Sequence, residues 1–175
     1  EIPAFNPTVM IMVPALCEMA RGLTKVMGSK ILGNSLNLIV TGAAVVAPHL
    51  AREFAKLGVT LLAGYGLTES SNLVSGNPNT LDNPTSVGYF YPDIDYKVVD
   101  GELWIKGDNV LTCYYNDPEE TAKAFEDGYF KTGDLVRIDD DGYIYIVGRI
   151  KDIIVLSSGE NIAPEELESK FRELD

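Results

Sequence analysis

Histidine, cysteine and tryptophan are scarce in this chain of 175 residues, which holds one His, two Cys and one Trp. A single histidine, His49, excludes multi-histidine zinc sites and leaves one candidate for any hydrolase triad. It lies between Pro48 and Leu50 at the start of a predicted helix, where a surface or capping role outweighs catalysis. Cys17 and Cys113 are far apart and lack metal-ligand spacing. They read as two thiols in a reducing cytoplasm rather than as a disulfide framework. Long apolar runs are also missing: none approaches the roughly 20 residues that span a bilayer, and no basic segment leads into an apolar one at the N-terminus.

Basic charge is short in one half only. Residues 1–87 hold five Lys/Arg and five Asp/Glu, whereas residues 88–175 hold nine against twenty-one and carry the whole net charge of −12. So acidic a surface repels phosphate backbones and anionic lipid, which argues against nucleic-acid or membrane-surface partners. A small phosphate ligand is still allowed, because local backbone N–H groups bind it despite the global field. What is present is ordinary for a folded protein: 46% hydrophobic and 23% charged residues. A chain of this size can bury roughly 70% of the surface its unfolded form exposes, so no metal or disulfide staple is needed.

The first half alternates helix and strand. Pro14–Met27 reads as a helix with Leu16, Met19, Leu23 and Met27 on one face and Gly28 after it. A strand is expected over Leu36–Val40, a second helix from Pro48 to a stop at Gly58, and a strand over Val59–Ala63. That alternation predicts a partial parallel α/β layer, with too few strands for a complete doubly wound sheet. Near residue 84 the pattern changes to short strands at 96–99, 102–106 and 143–147, with Asp100-Gly101 as a hairpin signal. Asp139-Asp140-Asp141-Gly142 lacks the first and last ligands of a calcium loop and reads as an acidic hairpin turn. This middle segment is expected to be β-rich and barrel-like. A strand at 153–156 and a helix over 164–172 follow, and neither can bury its own face alone. The fold class is therefore α/β: a partial parallel layer in 1–84, a β-rich subdomain in 85–150, and the start of a small α+β lid in 151–175. Oligomeric state has no signature here.

Three local motifs could carry chemistry. Gly64-Tyr65-Gly66-Leu67-Thr68-Glu69 directly follows the second predicted strand, at the carboxyl end where α/β sheets take ligands and where a following helix could point its N-terminus at phosphate. Its glycines allow close backbone approach, Tyr65 offers a flat face, Thr68 a hydroxyl and Glu69 a carboxylate; the bland alternative is a tight turn. Thr132-Gly133-Asp134 places an aspartate after a glycine turn, where a fixed carboxylate could accept from a ribose diol or simply cap a turn. Gly148-Arg149-Ile150-Lys151-Asp152 offers a planar guanidinium fork beside a lysine that could equally be solvated.

In order, Gly-Tyr-Gly-Leu-Thr-Glu, Gly-Glu-Leu-Trp-Ile-Lys-Gly-Asp-Asn-Val, Tyr-Phe-Lys-Thr-Gly-Asp-Leu, Gly-Arg-Ile-Lys-Asp and Ser-Ser-Gly-Glu-Asn-Ile-Ala-Pro-Glu-Glu-Leu-Glu closely resemble the adenylate-forming superfamily. That superfamily includes acyl-CoA synthetases, aryl-CoA ligases, luciferases and peptide-synthetase adenylation domains. The resemblance covers roughly residues 7–175, and its last two motifs look most like the fatty acyl-CoA synthetases.

The resemblance implies an AMP-forming acid–thiol ligase that joins a carboxylate to ATP with magnesium and passes the acyl-adenylate to coenzyme A. It places Gly42, Ala43 and Ala44 along the adenine and acyl pocket, with Gly64, Tyr65 and Gly66 at the adenine. Thr68 would bind the α-phosphate and Glu69 the magnesium. Asp134 would take both ribose hydroxyls, with Ile146 packing nearby and Arg149 adding a polar contact. Lys151 matches the hinge of the lid, and Ser158 and Gly159 fall at the pantetheine tunnel. Two family elements are not in the sequence: the Ser/Thr/Gly-rich phosphate loop and the lid lysine. The chain therefore reads as an internal portion of a synthetase, not expected to complete adenylation alone. Two other readings stay open, an amino-acid or aryl-acid activating domain that loads a carrier protein, and a non-catalytic nucleotide-binding module.

Overall fold

The computed structural model describes residues 2–42, 46–155, 161–162 and 164, with backbone only for Val155 and Asn161. The chain divides into two compact units, one of residues up to 68 with 72–90, the other of residues 69–71 with 91 onward.

The first unit opens with a short helix α1 (Ile2–Phe5) and a strand β1 (Val9–Ile11). Helix α2 (Pro14–Met27) follows, started by Pro14, whose missing N–H costs nothing in a first turn, and ended by Gly28 at φ 82°. Strand β2 (Leu38–Thr41), helix α3 (Pro48–Lys56), strand β3 (Thr60–Gly66), strand β4 (Leu73–Asn77) and strand β5 (Tyr89–Phe90) complete it. The sheet order is β1-β2-β3-β4-β5. β1, β2 and β3 are parallel, with Met10 opposite Ile39 and Ile39 opposite Leu61, so α2 and α3 are the crossovers of two βαβ units. β4 and β5 then add antiparallel. The core joins Cys17 and Ala20 of α2, Leu50, Ala51 and Phe54 of α3, and Ile39, Leu61 and Ala63 of the sheet.

Three sequence expectations change here. The run at Val9–Ile11 is a third parallel strand, too short for periodicity to reveal. β3 runs to Gly66 rather than stopping at Ala63, which takes the glycine motif into the sheet. The apolar stripe of α2 points outward: Leu16, Met19, Leu23 and Met27 are exposed, and the helix packs instead through the small residues Cys17 and Ala20. Small side chains let the helix sit close to its neighbours.

The second unit is a curled antiparallel half-barrel sheet, as its many short strands predicted. Strands β6 (Asp95–Val99) and β7 (Glu102–Lys106) form a hairpin through Asp100 and Gly101, both at positive φ, 51° and 86°. That is the geometry a two-residue primed turn requires. Helix α4 (Pro118–Ala124) is capped by Asp117, whose side chain accepts from Glu120 N–H at 3.0 Å. Strands β8 (Phe125–Glu126), β9 (Tyr129–Ile138) and β10 (Ile144–Arg149) give the order β10-β9-β7-β6, with β8 on β9.

The β9–β10 turn is the acidic hairpin expected from the sequence, with Asp139 accepting from Tyr143 N–H at 2.8 Å and from Tyr145 Oη at 3.0 Å. A small pair, β11 (Ile154–Val155) with β12 (Asn161–Ile162), comes last. The predicted C-terminal helix lies almost wholly outside the described residues. The face of β6, β7 and β9 is laced by Trp104, with Lys97 Nζ 4.5 Å from its ring centre and Lys131 Nζ at 5.7 Å.

Candidate functional site

In the first unit the glycine motif is strand, not turn, and no helix follows it. Gly64, Tyr65 and Gly66 pair with Gly76, Ser75 and Leu73 of β4, leaving Val74 as an extra residue. The glycines answer to this close pairing. A Cβ on Gly66 would stand 2.3 Å from the Asn72 carbonyl oxygen, one on Gly64 2.8 Å from that of Ser75, and one on Gly42 2.9 Å from that of Gly64. Gly42, directly after β2, thus lies against the motif. Tyr65 is 9% exposed.

Leu67 leaves the carboxyl end of β3 into a single 3₁₀ turn, Thr68–Ser70, so no α-helix dipole acts there. Thr68 is exposed and Glu69 half-buried. Within the second unit, Glu69 Oε1 accepts from Tyr114 Oη at 3.0 Å and its carbonyl accepts from Leu111 N–H at 2.7 Å. Burial, and then the Glu69 carboxylate, push the Tyr114 phenol above its ordinary value, so the proton stays on tyrosine and the phenol donates. A half-buried carboxylate at a strand end is a hard oxygen ligand. Among the described residues no group of three or more His, Cys, Asp or Glu gathers for a metal. One carboxylate fits magnesium, which is commonly held by one or two carboxylates together with substrate phosphates.

Asp134 was expected after a glycine turn, and the structure places it inside the ten-residue β9. There Glu102 pairs with Leu135 and Trp104 with Lys131, so Thr132, Gly133 and Asp134 oppose Leu103 alone. This bulge needs Gly133, whose φ is 73°. Its bonds are internal. Thr132 Oγ1 donates to the Leu103 carbonyl at 2.7 Å and accepts from Asp134 N–H at 3.1 Å, while Glu102 Oε1 accepts from Gly133 N–H at 2.9 Å. A second irregularity on β10 leaves Val147 extra between Ile146, opposite Val136, and Gly148, opposite Leu135. Arg149 thereby falls opposite Asp134, and its Nε donates to Asp134 Oδ1 at 2.6 Å. Asp134 is 4% exposed, whereas the Arg149 side chain is 51% exposed. The guanidinium therefore fixes a buried carboxylate from its outer side, a charge-assisted bond at short range.

Asp134, Arg149 and Ile146 are thus gathered around paired bulges of one hairpin. Lys151 lies in an exposed 3₁₀ turn directly after β10. Ala43, Ala44, Ser158 and Gly159 lie outside the described residues. The sequence reading missed Tyr114 and Glu102. Glu102 was legible in principle: two residues before Trp104 on one strand, it shares that face and accepts from the indole Nε1–H at 2.8 Å. Tyr114 has no local signal, because its partner is 45 residues away. His49 stays outside this chemistry, with Nε2 2.7 Å from Glu18 Oε1 on α2.

The AMP-binding enzyme family matches residues 1–115. The chain belongs to that family. It is 37% identical over 142 residues to the long-chain-fatty-acid–CoA ligase FadD15 of Mycobacterium bovis, a match covering 81% of this chain and 24% of the relative. It is also 37% identical over 180 residues to 4-coumarate–CoA ligase-like 6 of Arabidopsis thaliana, covering 93% of this chain and 31% of the relative. Among solved structures, the Mycobacterium tuberculosis fatty acyl CoA synthetase superposes with a TM-score of 0.80 at 33% identity, over 96% of this chain and 35% of that one. The O-succinylbenzoate coenzyme A synthetase of Bacillus subtilis, in complex with ATP and magnesium ion, gives 0.84 at 26% identity, over 97% of this chain and 37% of that one. The chain thus spans about a quarter to a third of the length of these relatives.

Proposed function

We propose that this chain is the nucleotide-facing portion of an ATP-dependent acyl-CoA synthetase, one that activates a carboxylic acid as its acyl-adenylate and transfers it to coenzyme A. The observation that carries the reading is Asp134: a buried carboxylate at a glycine bulge, oriented by Arg149, in a chain of the AMP-binding enzyme family. A fixed, ionised acceptor of this kind suits a vicinal diol, because both oxygens accept and neither has to be reoriented.

In this reading Asp134 takes the ribose hydroxyls, Ile146 packs beside the nucleoside and Arg149 holds the carboxylate and adds a polar contact. Gly42, Ala43, Ala44, Gly64, Tyr65 and Gly66 border the adenine and acyl pocket. Thr68 meets the α-phosphate and Glu69 holds magnesium, which when bound would neutralise phosphate charge. Activation is an in-line displacement at the α-phosphorus, so these residues contribute positioning and charge stabilisation rather than covalent chemistry. Lys151 serves as the lid hinge between a large domain, with its parts at 1–84 and 85–150, and a lid beginning at 151. Ser158 and Gly159 line the pantetheine path, and the enzyme works in the cytoplasm.

Fatty acids are the favoured substrates, since several of the relatives matched are long-chain-fatty-acid–CoA ligases. The comparable identity to 4-coumarate–CoA ligase-like 6, over more of the chain, favours an aryl acid as the second reading. The test is thioester formation by the full-length enzyme, with acyl-CoA and AMP measured for fatty, aryl and amino acids. Equimolar fatty acyl-CoA and AMP support the proposal. Product from aryl acids alone moves the assignment to the second reading, and no thioester with any acid overturns both.

A further inference from the structure

One half-buried contact in the second unit has no part in the nucleotide assignments above: the hydrogen bond from Tyr114 to Glu69. Both ends of that bond are held independently. On the Glu69 side, Leu111 N–H donates to the Glu69 carbonyl at 2.7 Å and Asn109 Nδ2 donates to the carbonyl of the fully buried Ser70 at 3.0 Å. The segment from 109 to 111 therefore clamps the backbone of the 3₁₀ turn. On the other side, Tyr114 N–H donates to Thr121 Oγ1 at 2.9 Å, and that hydroxyl donates to the Asp117 carbonyl at 2.7 Å. Asp117 is the cap of α4, so the start of a helix fixes where the Tyr114 ring begins.

A glutamate side chain has three rotatable bonds, and a carboxylate that must meet a metal gains from having them fixed beforehand. Tyr114 does this at one oxygen only. A carboxylate has about four lone-pair sites and a phenol uses one of them, so the bond orients the group without saturating it. An apolar side chain at 114 would fill space equally well but could not set the carboxylate's rotation.

We propose that Tyr114 is a positioning residue for Glu69, holding its carboxylate in the orientation that receives the divalent cation of the bound nucleotide. The inference rests on the assignment of Glu69 to magnesium above. It predicts that the phenol hydroxyl matters to metal affinity and not to nucleotide affinity in the absence of metal.

The experiment is a manganese titration of the full-length enzyme saturated with a non-hydrolysable ATP analogue, read by the loss of free Mn²⁺ signal in electron paramagnetic resonance. Wild type, Tyr114→Phe, Glu69→Gln and the double variant are compared, with metal-free analogue affinity and thermal melting as controls of the fold. Tyr114→Phe is expected to weaken Mn²⁺ about tenfold or more, the usual effect of losing a partner of a metal ligand. The double variant is expected to be no weaker than Glu69→Gln, since the tyrosine acts only through the carboxylate. Unchanged Mn²⁺ affinity in Tyr114→Phe, with Glu69→Gln impaired, would overturn the positioning role and leave the metal assignment standing. Unchanged affinity in Glu69→Gln would remove the metal assignment and the proposal with it. Additive losses in the double variant, or a loss of metal-free nucleotide affinity in Tyr114→Phe, would show a general structural role and also overturn it.

Discussion

Replacing Asp134 by alanine removes a carboxylate that is 4% exposed and bonded to Arg149 Nε at 2.6 Å. If it accepts from both ribose hydroxyls, two hydrogen bonds to a charged acceptor disappear together. Each such bond is worth about 1.5–3 kcal/mol. Part of that is returned, because the diol in the variant complex can be met by water, and because Arg149, half exposed, is readily resolvated once its partner is gone. The net loss expected is about 1–3 kcal/mol, or about 5- to 150-fold in Kd. Calorimetric titration of ATP into wild type and Asp134→Ala measures it directly.

Repeating the titration with 2′,3′-dideoxy-ATP makes the reasoning specific. The dideoxy nucleotide should bind wild type more weakly than ATP does, and Asp134→Ala should bind the two nearly equally, since the missing partners are the two sides of one interaction. A variant that weakens both nucleotides by the same factor would mean that Asp134 acts through the fold of the hairpin, and the ribose assignment would be wrong. An unchanged ATP Kd would refute it outright.

Gly66→Ala would place a Cβ 2.3 Å from the Asn72 carbonyl oxygen and 2.7 Å from Leu73 Cα, both backbone atoms that cannot swing aside; a loss of about 3 kcal/mol in urea denaturation is expected. Gly22→Ala in α2 meets nothing within 4 Å and should instead gain about 0.5–1 kcal/mol, so equal effects at the two sites would contradict the close pairing of β3 with β4. In native protein a thiol reagent should titrate the exposed Cys113 promptly and the buried Cys17 only on unfolding. Burial raises the Cys17 thiol, so the folded state keeps a proton that the unfolded chain releases; this part of the stability is complete below the unfolded thiol pKa and is lost as pH rises past it. Denaturation midpoints from pH 8 to 10 should fall less steeply in Cys17→Ala than in wild type.

Sequence pattern revealed elements whose signals are local. Pro14 and Gly28 bracket α2 and Asp100-Gly101 makes the β6–β7 hairpin, as periodicity and turn chemistry imply. Features set by partners distant in sequence were not legible. That Gly64 and Gly66 lie within a strand held closely against β4, and not in a turn, does not show in the motif itself. The stripe on α2 gave its amphipathicity but not which side it would bury. The motif singled out Asp134 as a candidate, but the bulge that holds it depends on Glu102, Leu103 and Arg149, drawn from two other strands. Glu69 was likewise a candidate of its motif, whereas its contact with Tyr114 became visible only once the chain had folded the 107–117 segment back onto the 3₁₀ turn.

Acid-dependent exchange of labelled pyrophosphate into ATP by the full-length enzyme tests the central claim most directly, because exchange requires a reversible acyl-adenylate and nothing later in the reaction. The account predicts exchange that depends on a fatty acid, needs no coenzyme A, and falls sharply in Asp134→Ala at subsaturating ATP. A folded enzyme that binds ATP yet shows no exchange with any fatty, aryl or amino acid would contradict it.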